Sequence, residues 1–132
     1  MAGYSPKSLA DKLGIKPGMA LYAIAAPKDY RALLGIDAPL AAKPPKGGAD
    51  FVHLFVTSLA ELDRHLPLAR KAMKPDGILW VSWYKKAEKI PTDVTEDVIR
   101  ARALKTDLVD VKVCAVSDVW SGLKLMVRKH LR

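Results

Sequence analysis

The stretch FVHLFVTSLAE, residues 51–61, decides the fold. Its first six residues are apolar apart from His53 and show no polar alternation, which is typical of a strand covered on both faces of a parallel sheet. Ser58 and Glu61 follow at the spacing of a capping box, in which the two side chains bind free backbone N–H groups at the start of a helix. A buried strand that leads directly into a helix predicts an α/β unit.

The same alternation of strand and helix extends along the chain in both directions. Strands are predicted at residues 20–25, 51–56, 78–83, 108–115 and 122–127. Helices are predicted at residues 5–13, 27–34, 58–73 and 93–104. This order predicts a three-layer, Rossmann-like α/β fold, in which a mostly parallel sheet of about five strands carries helices on both faces and ends in a C-terminal antiparallel hairpin.

The starts of two helices can be placed from capping residues. Ser5 is expected to cap the first helix, with Pro6 at its first helical position, where the missing N–H costs nothing. Asp93 and Glu96 are expected to open the last helix, because their charges suit its positive end. Both expectations set boundaries that the structure can test.

Proline and glycine are expected to interrupt the chain at four places. Pro67 is expected to kink or split the helix that Ser58 begins, since it removes a backbone donor. Residues 75–77 and 120–122 are predicted as turns into strands. The proline- and glycine-rich stretch 36–48 is expected to be a mobile loop without a strand.

Length and composition favour one soluble domain. With 132 residues, half of them apolar, the chain can bury one core, so residues 1–132 are expected to form a single domain. The longest apolar run, residues 19–27, is far shorter than a membrane span, and no signal peptide is recognised, so we expect a cytoplasmic protein that does not enter membranes. Cys114 lies in an apolar run and is expected to be a buried thiol; no metal-ligand spacing is found.

The net charge of +8 comes from 22 basic and 14 acidic side chains and is concentrated at the C-terminus. Residues 124–132 contain no acid and four basic residues: Lys124, Arg128, Lys129 and Arg132. Such a balance favours anionic partners, including nucleic acid. No aromatic residue interleaves with this basic tail, as a binder of single strands would need, so nucleic acid is the less favoured partner.

The ligand crevice of an open parallel sheet lies beyond the carboxyl ends of its strands. The candidate cofactor-binding residues there are Pro27, Thr57, Ser58, Trp83, Lys85 and Lys86. An aromatic ring beside lysines can stack on a base and pair with a phosphate, which suggests a small anionic or adenosyl ligand. The alternatives are a Trp83 packed in the core with solvated lysines, and a Ser58 that serves only as a cap.

No catalytic residue can be assigned from motifs. The sequence contains neither the G-x-S-x-G elbow of a serine hydrolase nor a G-x-x-x-x-G-K-[ST] phosphate loop. His53, within a buried strand, is interpreted as a hydrogen-bonded core residue rather than a base, while His65 and His130 are expected to be exposed. The cofactor, if there is one, is left unassigned.

The element order and several phrases resemble known families. GIKPG at residues 14–18 and KPDGILWV at residues 74–81 resemble the turns that lead into two strands of the class I S-adenosylmethionine-dependent methyltransferases. Nearly the whole chain is similar to a bacterial family of short uncharacterised proteins, a domain of unknown function. The phrases that carry this second match lie at residues 2–5, 12–18, 53–58, 80–86 and 111–116.

The methyltransferase resemblance implies two features that this sequence lacks. That family follows its first strand with a glycine-rich turn, because the backbone must approach the cofactor closely. Here residues 25–29 read Ala-Ala-Pro-Lys-Asp. The family also ends its next strand with an acidic residue that holds the ribose hydroxyls, whereas no strand is expected here between residues 26 and 50.

Three interpretations of function stay open. We favour a non-catalytic, methyltransferase-like binding or interaction module, because the cofactor turn is absent. The first alternative is an atypical enzyme that binds S-adenosylmethionine or a nucleotide at Trp83, Lys85 and Lys86. The second alternative is a nucleic-acid-binding protein that uses the basic C-terminal tail. A homodimer, paired through an exposed edge of the last strand, is a further expectation.

Overall fold

The computed structural model describes residues 8–36, 39–85 and 92–132. Its strands are β1 Leu21–Ile24, β2 Leu40–Ala41, β3 Ala49–Phe55, β4 Met73–Tyr84, β5 Leu108–Ala115 and β6 Trp120–Val127. Its helices are α1 Leu9–Leu13, α2 Tyr30–Leu34, α3 Leu59–Ala72 and α4 Glu96–Leu104. A short 3-10 helix, Lys129–Leu131, follows β6.

The strands form one sheet in the order β2-β1-β3-β4-β6-β5. The pairs β1–β2, β1–β3 and β3–β4 are parallel, whereas β4–β6 and β5–β6 are antiparallel. The predicted Rossmann-like class, with a mostly parallel central sheet and a terminal antiparallel pair, is therefore confirmed.

Two expectations about the edges of the sheet were wrong. The segment predicted to lack a strand contains β2, in which Leu40 and Ala41 pair with Leu21 and Tyr22 at the free edge of β1. A strand of two residues can form here, because the edge of β1 offers a row of unpaired backbone N–H and C=O groups. The last strand, β6, is not an edge, since β4 and β5 flank it; β5 is the edge instead. The homodimer stays a prediction.

The sheet separates two hydrophobic cores. On one face α1 and α2 pack on the rings of Phe51, Phe55 and Trp80. On the other face α3 and α4 pack on aliphatic side chains such as Leu54 and Val81. Successive strand residues point to opposite faces, so an unbroken apolar run supplies both cores at once.

Helix starts show where sequence reasoning was right and where it was wrong. Ser58 caps α3 as predicted, its hydroxyl accepting the N–H of Glu61 at 3.1 Å. The N-cap of α1 is Ser8, whereas Ser5 and Pro6 lie outside the described residues. The N-cap of α4 is Thr95. Glu96 opens that helix as predicted, whereas Asp93 lies before the N-cap, and its carboxylate instead accepts the N–H of Leu59 at the start of α3.

The predicted interruptions are smaller than expected. Pro67 neither splits nor ends α3; it lies on the exposed face, where water can bind the backbone carbonyl that it leaves free. Residues 75–77 lie within β4, where residues 74–77 form a bulge opposite Asp50. Residues 120–122, predicted as a turn, are the first part of β6. The turn at residues 120–122 was wrong because β4 and β5 pair with this segment, and the turn at residues 75–77 was wrong because the chain forms a bulge there and continues in the same strand.

Among the described helices, none combines the length and the apolar character that a bilayer span requires.

Candidate functional site

The crevice expected of this fold lies where the parallel strands β1, β3 and β4 end. Three short segments follow these strands: residues 25–29, residues 56–58, and Tyr84 with Lys85. The structure places Pro27, Thr57, Ser58 and Lys85 on these segments, at the edge predicted for them. Lys86 lies outside the described residues.

The turn after β1 has an unusual backbone. Ala25 adopts φ 58°, a left-handed conformation that side chains with a Cβ atom rarely accept, and the residue is exposed. Pro27 is half-buried, and its carbonyl accepts the N–H of Tyr30 at 3.0 Å, which starts α2. The chain therefore makes a turn that suits glycine without having a glycine there.

The start of α3 is already filled by protein acceptors. The Glu61 carboxylate accepts both the backbone N–H of Thr57, at 2.7 Å, and its hydroxyl, at 2.8 Å. These hydrogen bonds, the backbone one first, hold the pKa of Glu61 below its usual range. Asp93 accepts the Leu59 N–H at 2.7 Å. Two carboxylates thus occupy the helix end at which Thr57 and Ser58 would receive an anion.

The aromatic residues at the end of β4 point to opposite faces. Trp83 is 8% exposed and belongs to the core beneath α3 and α4. Tyr84 is half-buried on the other face and stacks on Trp120, with ring centroids 4.4 Å apart and planes inclined by 22°. Lys85 is also half-buried, and its backbone N–H donates to the carbonyl of Val119. Tyr84, rather than Trp83, is the aromatic residue of β4 with surface at this edge.

A buried polar chain beneath the crevice was only partly foreseen. The Tyr30 hydroxyl lies 2.8 Å from His53 Nδ1, and His53 Nε2 lies 2.7 Å from the Ser82 hydroxyl. Burial lowers the pKa of His53 to about 3 and raises that of Tyr30. All three side chains are therefore uncharged at neutral pH, and one neutral tautomer of the imidazole satisfies both bonds.

The same order of groups, hydroxyl, imidazole and second hydroxyl, occurs in nucleophilic active sites, but here it has no access. His53 and Ser82 expose none of their surface. Gly122 closes the site from β6, since a Cβ there would lie 3.4 Å from the Ser82 hydroxyl oxygen and 3.0 Å from the Trp80 ring. The interpretation of His53 as a hydrogen-bonded core residue is confirmed.

Two lysines lie opposite each other on the hairpin formed by β5 and β6. Lys112 on β5 and Lys124 on β6 are direct cross-strand partners. Cys114, two residues after Lys112, is half-buried; burial raises the pKa of its thiol, and the charges of Lys12 and Lys112 oppose that rise. The expectation of a buried thiol was therefore correct only in part, because β5 lies at the sheet edge.

The basic tail is partly engaged by the protein itself. The guanidinium of Arg128 donates to the carbonyl of Leu104 at 2.9 Å, and that of Arg132 donates to the carbonyl of Val127 at 2.8 Å. Lys129 and His130 are exposed, the latter as predicted. These hydrogen bonds hold the two guanidinium groups against the protein but leave their positive charges unpaired among the described residues.

His65 departs from its predicted exposure. It is half-buried on α3, and its Nδ1 atom is inaccessible to solvent and forms no hydrogen bond with the described residues. Within residues 8–36, 39–85 and 92–132, no group of three histidine, cysteine or acidic side chains has an arrangement that could hold a metal ion.

Comparisons with known proteins identify the fold. No family model matches the sequence, and no curated protein matches it. The chain is similar in structure to the m1A22 tRNA methyltransferase TrmK of B. subtilis, with a TM-score of 0.58 and 12% identity over 94% of this chain and 67% of that one. It is also similar to the ribosomal protein L11 methylase of Lactobacillus delbrueckii subsp. bulgaricus, with a TM-score of 0.50 and 12% identity over 91% of this chain and 63% of that one.

These likenesses show a methyltransferase-like Rossmann fold. At 12% identity they carry the fold alone, since one fold hosts many functions. The similarity to a bacterial family of short uncharacterised proteins stays a prediction.

Proposed function

We propose that this chain is a methyltransferase-like binding module that does not transfer methyl groups. The observation that carries the proposal is the turn after β1, where exposed Ala25 holds a left-handed backbone conformation in the place of a glycine turn. A Cβ atom there takes up the space that a cofactor would need in order to lie close to the protein backbone. Pro27 also lacks the N–H that a glycine would offer to an anion.

The end of β2 supports the same proposal. The register of β2 against β1 puts Leu40 beside Leu21 and Ala41 beside Tyr22, so both strands run in the same direction toward the crevice. The residues after β2 are Ala42 and Lys43, both exposed. A ribose that binds through its two hydroxyl groups needs a carboxylate acceptor at this place. The chain has the methyl group of Ala42 and the ammonium group of Lys43 there instead.

The module's proposed ligand is a small anionic or adenosyl compound at the ends of β1, β3 and β4. Lys85 supplies a positive charge there, and Tyr84 supplies the ring surface that was expected of Trp83. Pro27 and Lys86 remain the other candidate contacts, whereas Glu61 and Asp93 already occupy the helix end at which Thr57 and Ser58 were expected to bind an anion. The alternative is an enzyme that binds S-adenosylmethionine at this edge in an atypical way.

Isothermal titration with S-adenosylmethionine and S-adenosylhomocysteine tests the proposal when Ala25→Gly is compared with the wild type. Removing the Cβ should tighten S-adenosylhomocysteine binding about tenfold, because the glycine lets the ligand approach. Ala26→Gly is the matched control, since residue 26 has no positive φ. Equal affinities for the wild type and both variants would remove the basis of the proposal, and consumption of S-adenosylmethionine by the wild type would favour the enzyme instead.

A second candidate function, nucleic-acid binding, is favoured by one observation. Lys112 and Lys124 face each other across β5 and β6, and burial together with the charge of Lys112 lowers the pKa of Lys124. Like charges placed directly opposite each other destabilise a sheet, so the pair has a cost that an anionic partner would offset. We propose that this pair, rather than the tail alone, carries any binding to nucleic acid.

A further inference from the structure

A cavity of about 450 Å³ lies between β1 and the second half of α3, on the face opposite the buried polar chain. Its described lining residues are Tyr22, Ile24, Pro44, His65, Leu68, Lys71 and Ala72. α3 runs from the carboxyl ends of the strands back toward their amino ends, so Lys71 and Ala72 line the part of the cavity away from the crevice, whereas Ile24, the last residue of β1, lines the part nearest to it. The cavity shares no described lining residue with the candidate contacts of the proposed adenosyl site.

The topology explains why this cavity exists. α3 packs on β3 and β4, and residues 42–48, which connect β2 to β3, form no helix that could cover β1. Tyr22 and Ile24 consequently reach the core only in part. Leu68, on the neighbouring side of α3, keeps 55% of its surface exposed. A concave pocket lined mostly by apolar side chains with a few polar groups has the usual form of a small-molecule site.

The chemistry of the walls defines the ligand. Tyr22, Ile24 and Leu68 offer ring and aliphatic surface, whereas Lys71 offers an exposed cation and His65 a second basic group. No acidic side chain is among the described residues that line the cavity. Its volume is within the range of small-molecule sites, about 300–1,000 Å³.

We propose that this cavity binds a small organic anion, a carboxylic acid with an aromatic ring or a short aliphatic chain. The apolar part packs against Tyr22, Ile24 and Leu68, and the carboxylate pairs with the ammonium group of Lys71 at the rim. This inference does not depend on the function proposed for the ends of the strands.

The experiment uses a matched pair of probes, 2-naphthoate and the neutral 2-naphthalenemethanol, followed by NMR on ¹³C-methyl-labelled full-length protein. Titration of the wild type with 2-naphthoate to about 1 mM should shift the methyl signals of Ile24 and Leu68. Lys71→Gln should weaken the binding of 2-naphthoate about fivefold and leave that of the neutral alcohol within about twofold, because only the carboxylate uses the charge.

Two further variants distinguish this site from nonspecific binding. Lys105→Gln, at an exposed lysine after α4 that does not line the cavity, should leave both affinities unchanged. Leu68→Ala should weaken both probes, since it removes apolar wall from an exposed position without disturbing the core. The proposal fails if neither methyl signal shifts, if the shifts fall elsewhere, or if Lys71→Gln and Lys105→Gln weaken 2-naphthoate equally.

Discussion

At the residue scale, His53 sits in the middle of a buried strand and connects two elements that are distant in sequence. Its partners Tyr30 and Ser82 lie 23 and 29 residues away and belong to α2 and β4. Each hydrogen bond contributes about 1 kcal/mol net, but losing one partner leaves a buried polar group unsatisfied at a cost of about 1–3 kcal/mol. The chain of bonds therefore makes the packing of α2 on the sheet specific.

The protonation of His53 makes stability depend on pH. Its pKa is about 3 in the folded protein and about 6.5 in the unfolded chain, so between these values the unfolded chain binds a proton that the folded protein does not. The contribution of the neutral His53 side chain to the free energy of unfolding is fully present above pH 6.5 and is lost as the pH falls toward 3. The expected loss is about 1.4 kcal/mol per pH unit below 6.5.

Urea unfolding of the wild type and of His53→Gln between pH 7.5 and pH 4.5 measures this contribution. Glutamine keeps a donor and an acceptor but does not titrate, so the wild type should be the more stable protein at pH 7.5 and should lose its advantage as the pH falls. Acidic residues contribute equally to both proteins and cancel in the difference. A difference that stays constant over this range would show that His53 becomes protonated in the folded state.

Part of this hydrogen-bonded series of side chains could be predicted from the sequence. A histidine within an otherwise apolar strand stands out as a polar group that needs partners, and the hydrogen-bonded core interpretation of His53 followed from that, whereas Ser82 was not recognised as one of them. The partner Tyr30 could not be found, because nothing local links a tyrosine at the start of a short helix to a strand 23 residues away. The same limit applies to Trp83, whose burial depends on α3 and α4 rather than on its neighbours.

At the element scale, the start of α3 is held by Thr92 and Asp93, which belong to the segment before α4 and are distant from α3 in sequence. Thr92 donates its hydroxyl to the carbonyl of Thr57 at 3.0 Å, and Asp93 accepts the N–H of Leu59. Together they join the segment before α4 to the end of β3. A carboxylate in this position also interacts favourably with the positive end of the helix.

Replacing Asp93 by alanine should lower the free energy of unfolding by about 1 kcal/mol, the usual cost of a lost helix cap. Urea unfolding at neutral pH measures the loss. Asp97→Ala is the matched control, because the Asp97 side chain is 95% exposed and forms a surface ion pair with Arg100, so its loss should change stability by less than about 0.5 kcal/mol. If the two variants behave alike, the hydrogen bond between Asp93 and the Leu59 N–H does not stabilise the start of α3 in solution.

Element boundaries show which sequence signals can be trusted. The strand at residues 51–56 and the helix after Ser58 were predicted well, because their apolar pattern and their cap are local. The turn at residues 75–77 was wrong because the bulge there is held from elsewhere. Asp50 accepts the N–H of Ala20 at 2.7 Å and the Lys74 ammonium at 2.9 Å, and this keeps the segment in β4.

At the scale of the whole molecule, the described helices cover a methyltransferase-like sheet only in part. The α3/α4 layer leaves part of β1 open, and the α1/α2 layer packs against Trp120 and Cys114 but leaves Lys112 on β5 exposed. In a fold that many proteins share, function depends on such local surfaces rather than on the sheet itself. The sequence predicted the layers, but not these two surfaces, because they arise from where the helices stop.

The lysine pair on the hairpin of β5 and β6 provides a test in which stability and binding change in opposite directions. Lys112→Gln should raise the free energy of unfolding by about 0.2–1 kcal/mol, since it removes repulsion from Lys124.

The double variant Lys112→Gln with Lys124→Gln should weaken binding to a short duplex DNA and reduce the slope of log affinity against log salt by about two, one for each lost phosphate contact. Fluorescence anisotropy from about 50 to 200 mM salt measures that slope. Lys28→Gln with Lys105→Gln removes the same charge from exposed positions outside the hairpin and should leave the slope within about half a unit of the wild-type value. Equal losses in the two double variants would mean that net charge alone attracts DNA, and a wild-type affinity that does not fall with salt would exclude the hairpin as a nucleic-acid interface.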